Sequence, residues 1–436
     1  MKIDRLALAL FLPLAGCSSQ PGASTTGAPT GAGGAGAEGP TYYRDIKPLV
    51  DVKCTGCHVE GGIAPFPLTT YAEVSANATS IVGAVSSRLM PPWPPDDSCT
   101  SYAYDRSLSP AQIDALTGWI RAGAPAGDPS EAPVTVADTR SKLSHVDLTL
   151  SMPAPYTPKI SPDEYRCFLV DWPESDTTYV TGLGVEPGMP AIVHHVIAFL
   201  APPDQVAEYQ ALDDADPALG WSCFGGPGGT GVPGWLGAWA PGATGADFPK
   251  GTGIQIAPGS KVVIQVHYNT LTTKPGPDQT RILIETAKSV DKQAVMFPFA
   301  NPSWVQDKMM DIPAYAMDAT HDFAVDPTPY MDLLTQNVLA ADKPFTLYSA
   351  ALHMHTRGTH AVTRIDRAGG QKECMLQIDD WNFHWQGGYD FSQPKEFDPG
   401  DQLYLECHWN NTTPMDVNWG ETTEDEMCLG VYYATQ

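Results

Sequence analysis

Leu347-Tyr348-Ser349-Ala350-Ala351-Leu352-His353-Met354-His355 is an apolar run that ends in two histidines one residue apart. The run predicts a β-strand. On a strand, residues i and i+2 face the same way, so both imidazoles can reach one metal ion. Comparable β-rich runs recur between Gly/Pro turns at 261–268, 281–285, 361–365, 402–407 and 429–433. This recurrence, in a chain with 40 Gly and 41 Pro, predicts antiparallel sheets rather than long helices. From residue 144 onward the chain is too long for one ordinary sandwich. Two jelly-roll-like β-sandwich domains are expected, 144–289 and 290–436.

Upstream, the text changes character. Ile46, Leu49 and Val50 have helical spacing. Ser109-Pro110 reads as N-cap and first helical residue, and Ile113, Leu116, Trp119 and Ile120 form an apolar face. Gly123 and Pro125 stop that helix, and Pro125–Pro133 reads as a linker. A small all-α domain is therefore expected over 41–130. Cys54-Thr55-Gly56-Cys57-His58 has the spacing of covalent haem c attachment: two thiols for the haem and His58 as an axial ligand. Met90, in a stretch stiffened by Pro91 and Pro92, is the candidate sixth ligand. The other readings of Cys-x-x-Cys are a redox dithiol and half a zinc site. No second Cys pair at zinc spacing and no βαβ context supports them. Residues 42–125 also resemble the small cytochrome c domains of exported bacterial proteins.

The N-terminus reads as an export signal, with Lys2 and Arg5 before an apolar stretch from Leu6 to Leu14. Leu14-Ala15-Gly16-Cys17 resembles a lipobox, which implies lipidation of Cys17, a signal over 1–17 and, with Ser18 following, the outer membrane. Residues 18–40, rich in Gly, Ala, Ser and Thr, read as a flexible tether. The formal charge of −25 excludes nucleic acid as a partner and disfavours electrostatic docking to anionic lipid.

Other histidines stand in strand contexts. His267 ends Val262-Val263-Ile264-Gln265-Val266-His267. His194 and His195 follow Ala191-Ile192-Val193. Neighbours on a regular strand face opposite ways, so that pair can share an ion only at a strand end or bulge. Met427 precedes a terminal strand, and imidazole with thioether suits a copper ion that changes oxidation state. His145, His321, His360, His384 and His408 read as surface or satisfied polar residues, with His360 and His384 as candidate cleft residues.

Taken in order, Tyr165-Arg166-Cys167, Val193-His194-His195, Val266-His267-Tyr268, His353-Met354-His355-Thr356, Cys407, Asp425-Glu426-Met427-Cys428 and Tyr432-Tyr433 resemble the copper type II, ascorbate-dependent monooxygenases. The resemblance implies two copper ions, one held by His194, His195 and His267 and one by His353, His355 and Met427, across a solvent-filled cleft. It implies oxygen insertion from O2 into a C–H bond of a small molecule, with His353, His355 and Met427 at the oxygen-activating copper. It implies disulfides Cys407–Cys428 and Cys167–Cys223. Cys99 and Cys374 either pair across domains or stay free. The peptide-hydroxylating members grip a carboxylate at positions matched here by Ala351, Leu429 and Val431, so a less polar substrate is expected. Electrons are expected from a periplasmic donor through the haem, with the short linker setting the helical block beside the first β-domain, near His194, His195 and His267. The alternative is a non-catalytic copper and haem protein for electron transfer or redox sensing.

Overall fold

The computed structural model describes residues 39–133 and 143–436, apart from 61, 63, 224, 231–233, 241–244, 272, 421 and 423. The export signal, Cys17 and the tether up to residue 38 lie outside the described residues.

Helices Lys47–Lys53, Tyr71–Ala76, Ala78–Ser86 and Pro110–Arg121 follow a short π-helical turn at Tyr42–Ile46. The last begins as its sequence predicts. Ser109 Oγ accepts from Gln112 N, and Gln112 Oε1 accepts from Ser109 N, with Pro110 at the first position. Tyr42, Ile46, Val50, Leu116 and Trp119 form the centre of a small core, and the Trp119 indole donates to Pro125 O at 2.9 Å.

Beyond residue 147 most of the regular elements are strands. Along Lys261–Asn269 the residues from Val262 to Tyr268 are all buried, because both faces are covered. Val262, Ile264, Val266 and Tyr268 enter the main core of the first half. Val263 joins a satellite core with Phe199, Tyr209 and Trp221, on the side of the helix Val206–Ala215. The Cys167–Cys223 disulfide lies in that satellite core. In the second half, a four-stranded sheet is ordered Ala319–Val325, Gln402–Trp409, Gly358–Asp366, Lys372–Ile378. Leu403, Leu405, Cys407 and Trp409 point inward while Gln402, Tyr404, Glu406 and His408 point outward. The inward set shares a core with Phe345, Leu347, Leu352 and Tyr432 from the other layer.

The two halves are joined by one strand. Lys292–Phe299 pairs antiparallel with Leu429–Thr435 and parallel with Thr252–Ile256. Ala294 belongs to the first core, Phe297 and Phe299 to the second. The parallel pair departs from the antiparallel pattern expected throughout.

The helical block corrects one expectation. Among the described residues, the backbone bonds and the disulfide that fix it run to the second half. Asp96 N donates to Gln377 O and Ala103 N to Asp390 O, both at 2.8 Å, and Ser392 N donates to Ser101 O at 2.9 Å. Cys99 and Cys374 form a disulfide, which settles the pair left open by the sequence. Trp93, Tyr102 and Tyr389 pack edge to face. The physical reason is that Lys372–Ile378 and Gly388–Phe397 are edge strands, and the stretch 93–104 bonds to backbone groups of both.

Candidate metal centres

The first cluster is built by register. His267 lies opposite Tyr165 on one neighbouring strand and opposite His195 on the other. Between Val193 and His195 the register slips, so two residues advance on one strand against one on its partner. That bulge turns His194 to the same side as His195. The three Nδ1 atoms then converge: His194 to His195 at 3.3 Å, His267 to His194 at 3.1 Å and His267 to His195 at 3.4 Å. Imidazole nitrogens bound about 2.0–2.1 Å from one first-row ion lie roughly 3–3.5 Å apart, so this is ligand spacing.

Two of the far nitrogens are already engaged. His267 Nε2–H donates to Asp163 Oδ1 at 2.9 Å, and Asn269 Nδ2 donates to the same oxygen. Tyr165 stacks on the His267 ring at 4.0 Å. His194 Nε2 meets His384 Nδ1 at 3.1 Å. Burial, then the charge of His384, pushes His194 down to about 4. Burial, then neighbouring histidines, pushes His195 and His267 well below the usual histidine range. All three are neutral near pH 7, with lone pairs available.

The second cluster sits at a strand end. Phe345–His353 pairs with Leu429–Thr435, with His353 opposite Leu429. Continuing that register by two residues sets His355 opposite Met427. The strand stops at His353, so the parity rule covers only the first histidine; His355 is positioned by other bonds. Its Nδ1–H donates to Asp425 O at 3.0 Å and its backbone N–H to Glu426 Oε2 at 2.9 Å. His353 Nδ1–H donates to Gln386 Oε1 at 2.6 Å. The ring centroids are 5.1 Å apart. In both rings Nε2 remains for a ligand. Burial, then the charge of His355, pushes His353 down to about 3, and burial lowers His355. Met427 is buried, and its neighbour Cys428 is bonded to Cys407 in the facing sheet.

Glu426 is a further organiser. It is fully buried and also accepts from Arg357 N at 2.6 Å and Trp409 Nε1 at 2.9 Å. Burial pushes its carboxyl up to about 7.

One segment touches both clusters. Phe383 lies 5.7 Å from the His194 ring, 6.4 Å from His267 and 6.3 Å from His355. The His194 and His355 ring centres are thus no more than about 12 Å apart. This revises the expected solvent-filled cleft: a nearly buried aromatic ring spans the space between the clusters. The same segment supplies His384 and Gln386. Sequence reading gave His384 only a cleft role and missed Asp163, Phe383 and Gln386, because each meets its histidines through long-range contacts.

In the helical block, Cys54 and Cys57 are unbonded thiols, and burial pushes Cys54 up to about 12 and raises Cys57. His58 Nδ1–H donates to Phe66 O at 2.9 Å, which leaves Nε2 for a ligand. Met90 lines a cavity of about 390 Å³ with Val85, Arg88, Trp93, Leu108 and Ile113; Cys54, Cys57 and His58 do not line it. His145 meets Asp147 and Glu285, and His321 donates to Asp311 O, as polar residues do.

Residues 333–435 match the family model of the copper type II ascorbate-dependent monooxygenase C-terminal domain. DBH-like monooxygenase protein 1 of Homo sapiens is 30% identical over 103 residues, covering 22% of this chain and 17% of that protein. The Gallus gallus protein of the same name is 28% identical over 103 residues with the same coverage. The chain thus matches less than a fifth of the length of these relatives. Among solved structures, the major capsid protein P2 from bacteriophage PM2 aligns over 66% of this chain and 97% of its own, at 9% identity and a TM-score of 0.25, too slight a likeness to carry an argument.

Proposed function

We propose that this chain is a copper-dependent monooxygenase that hydroxylates a C–H bond of a small, weakly polar molecule with O2. The observation that carries the reading is the pairing, in one molecule, of three convergent Nδ1 atoms with two imidazoles whose Nδ1 is already bonded, at a strand end whose register leads to the buried Met427. Both donor sets fit copper: neutral imidazoles in each, and a soft sulfur in one. His194, His195 and His267 would hold one ion, and His353, His355 and Met427 the other. Copper, when bound, supplies the one-electron steps and the O2 chemistry. The chain's own residues fix that chemistry in place. Asp163 sets the tautomer of His267. Gln386 and the Asp425 carbonyl set those of His353 and His355. Phe383 packs against rings of both clusters and limits water between them.

The substrate class follows from the face beside His353. Ala351 lies opposite Val431, and His353 opposite Leu429. These three apolar side chains share the His353 face by strand parity and are half-buried. None of them can donate to a carboxylate.

The electron supply belongs to the same proposal. Cys54 and Cys57 would attach a haem c, with His58 and Met90 as axial ligands; such a haem passes one electron at a time from a periplasmic donor. The chain would be anchored to the outer membrane through Cys17. Protein made with cytochrome maturation should keep its haem after denaturation, and Cys54→Ala with Cys57→Ala should lose it. A haem freed by denaturant would remove this part of the reading.

The direct test of the activity is a reaction under labelled O2, with copper, reductant and a pool of small metabolites. A product that carries one labelled oxygen, absent from protein stripped of copper by a chelator, is expected. Reduction of copper without any labelled product would point instead to an electron-transfer protein.

A further inference from the structure

A second group of histidines lies away from both clusters, on the outer face of the four-stranded sheet. Gln402–Trp409 alternates, so Glu406 and His408 point outward together. His360, on Gly358–Asp366, lies directly opposite His408. Side chains paired across neighbouring strands share a face, so the sheet itself brings three potential ligands together. One ligand atom from each of His360, Glu406 and His408 lies within 4.8 Å of the others. The two rings are 5.0 Å apart and nearly perpendicular.

The outer partners add an independent observation. His360 Nδ1 lies 3.1 Å from Asp379 Oδ1, an ion-pair distance. His408 Nδ1–H donates to Asp318 Oδ1 at 2.7 Å, with Thr320 Oγ1 3.1 Å away. Each imidazole therefore has a carboxylate beside its Nδ1. His408 Nε2 is 3.1 Å from Glu406 Oε1. The other Glu406 oxygen accepts from Tyr404 O–H. A carboxylate behind each imidazole is the usual support of a metal-bound histidine, because it fixes the tautomer and strengthens the inner nitrogen as a donor.

A simple ion pair is the competing account. Burial opposes a charge on His408, but Asp318 and Glu406 raise its pKa, so a cation there is well supported. That explains His408 alone. It gives no reason for a second imidazole, oriented by its own carboxylate, to stand beside the first, since two protonated rings would repel.

We propose that His360, Glu406 and His408 form a third metal site, for a divalent zinc-like ion. Two imidazole nitrogens and one carboxylate oxygen are a borderline-hard set, with no thioether to select Cu(I). The side chains keep 27%, 26% and 19% of their exposure, for His360, Glu406 and His408 respectively, so solvent can complete the coordination. The site has a consequence for the rest of the fold. Asp379 opens the segment that carries Phe383, His384 and Gln386, and Trp381 in that segment donates to His355 O at 3.2 Å. An ion that fixes His360 also fixes the root of the segment spanning the two clusters.

The test uses the full chain with its other sites already loaded with copper. Zinc is added, excess is dialysed away, and both metals are counted. Wild type should retain one zinc per chain. His360→Ala and His408→Ala should lose it, and Glu406→Gln should weaken zinc by about 10-fold or more, with copper unchanged in all three. Circular dichroism reports whether each variant folds; Glu406→Gln, the mildest change, remains decisive if an alanine variant does not. Cobalt offers a second readout, through visible bands that appear in wild type and vanish in the variants. Wild type that holds no zinc, or variants that hold as much as wild type, would overturn the proposal.

Discussion

The two clusters use the same side chain in opposite ways. In the first, His194, His195 and His267 present Nδ1 inward, all from strands, and His267 is backed by the Asp163 carboxylate. In the second, His353 and His355 turn Nδ1 outward to neutral acceptors, Gln386 and the Asp425 carbonyl, and leave Nε2 free, at a strand end whose register leads toward Met427. A carboxylate behind an imidazole makes it a stronger donor, which suits the higher charge of Cu(II). Neutral acceptors with a soft sulfur suit Cu(I). Under the proposed function, the first cluster would handle electrons and the second, at a strand end, would meet oxygen and substrate. The lesson is that the clusters differ in their outer hydrogen bonds as well as in ligand identity.

The hardest blow to this comparison falls on the ligands themselves. Met427→Ala should lower O2-dependent turnover by more than about 100-fold, beyond the roughly 10–100-fold loss typical when an outer partner is removed. The three-imidazole cluster should still bind and reduce its copper. His267→Ala should do the converse. Oxygen-electrode rates with metal analysis check both, and normal turnover by Met427→Ala would end the division of roles.

A finer test removes the outer partners. Asp163→Asn should weaken copper only at the first cluster and Gln386→Ala only at the second, each by about 10–100-fold. Competition against a chelator of known affinity measures this. Equal losses at both clusters from either variant would mean that Phe383 and its segment couple them more strongly than their separate hydrogen bonds suggest.

The smallest effect lies outside both clusters. Asp390, on the strand next to Phe345–His353, is held up to about 6 by burial. A raised folded pKa means that the native state favours the protonated form. Its stabilising contribution is complete below the unfolded carboxylate range and is lost as pH rises through about 6. Asp390→Asn should therefore raise Tm by a few degrees at pH 7.5, with the gain shrinking toward pH 4. A gain that grows on acidification would contradict the sign.

Much of this arrangement is legible in the sequence. Alternating and continuous apolar runs mark Gln402–Trp409 and Lys261–Asn269 as strands. The adjacent His194 and His195 require a strand end or a bulge, and the structure has a bulge there. Ser109-Pro110 marks its helix start. Other features have no local signature. The parallel pairing of Lys292–Phe299 depends on sheet order. The docking of 93–104 onto two edge strands depends on which edges the fold leaves open. Asp163, Phe383 and Gln386 reach their histidines through tertiary contacts, and His360 and His408 look like ordinary surface residues until strand register sets them opposite each other. Periodicity reports which face a side chain takes, not what it meets across the sheet.

The most direct test of the central claim is X-ray absorption at the copper edge of the full chain, reduced and free of oxygen. The account predicts two coppers per chain, with sulfur scattering from one of them that disappears in Met427→Ala while the nitrogen shell of the other is unchanged. A single copper, or a copper signal with no sulfur in wild type, would contradict it.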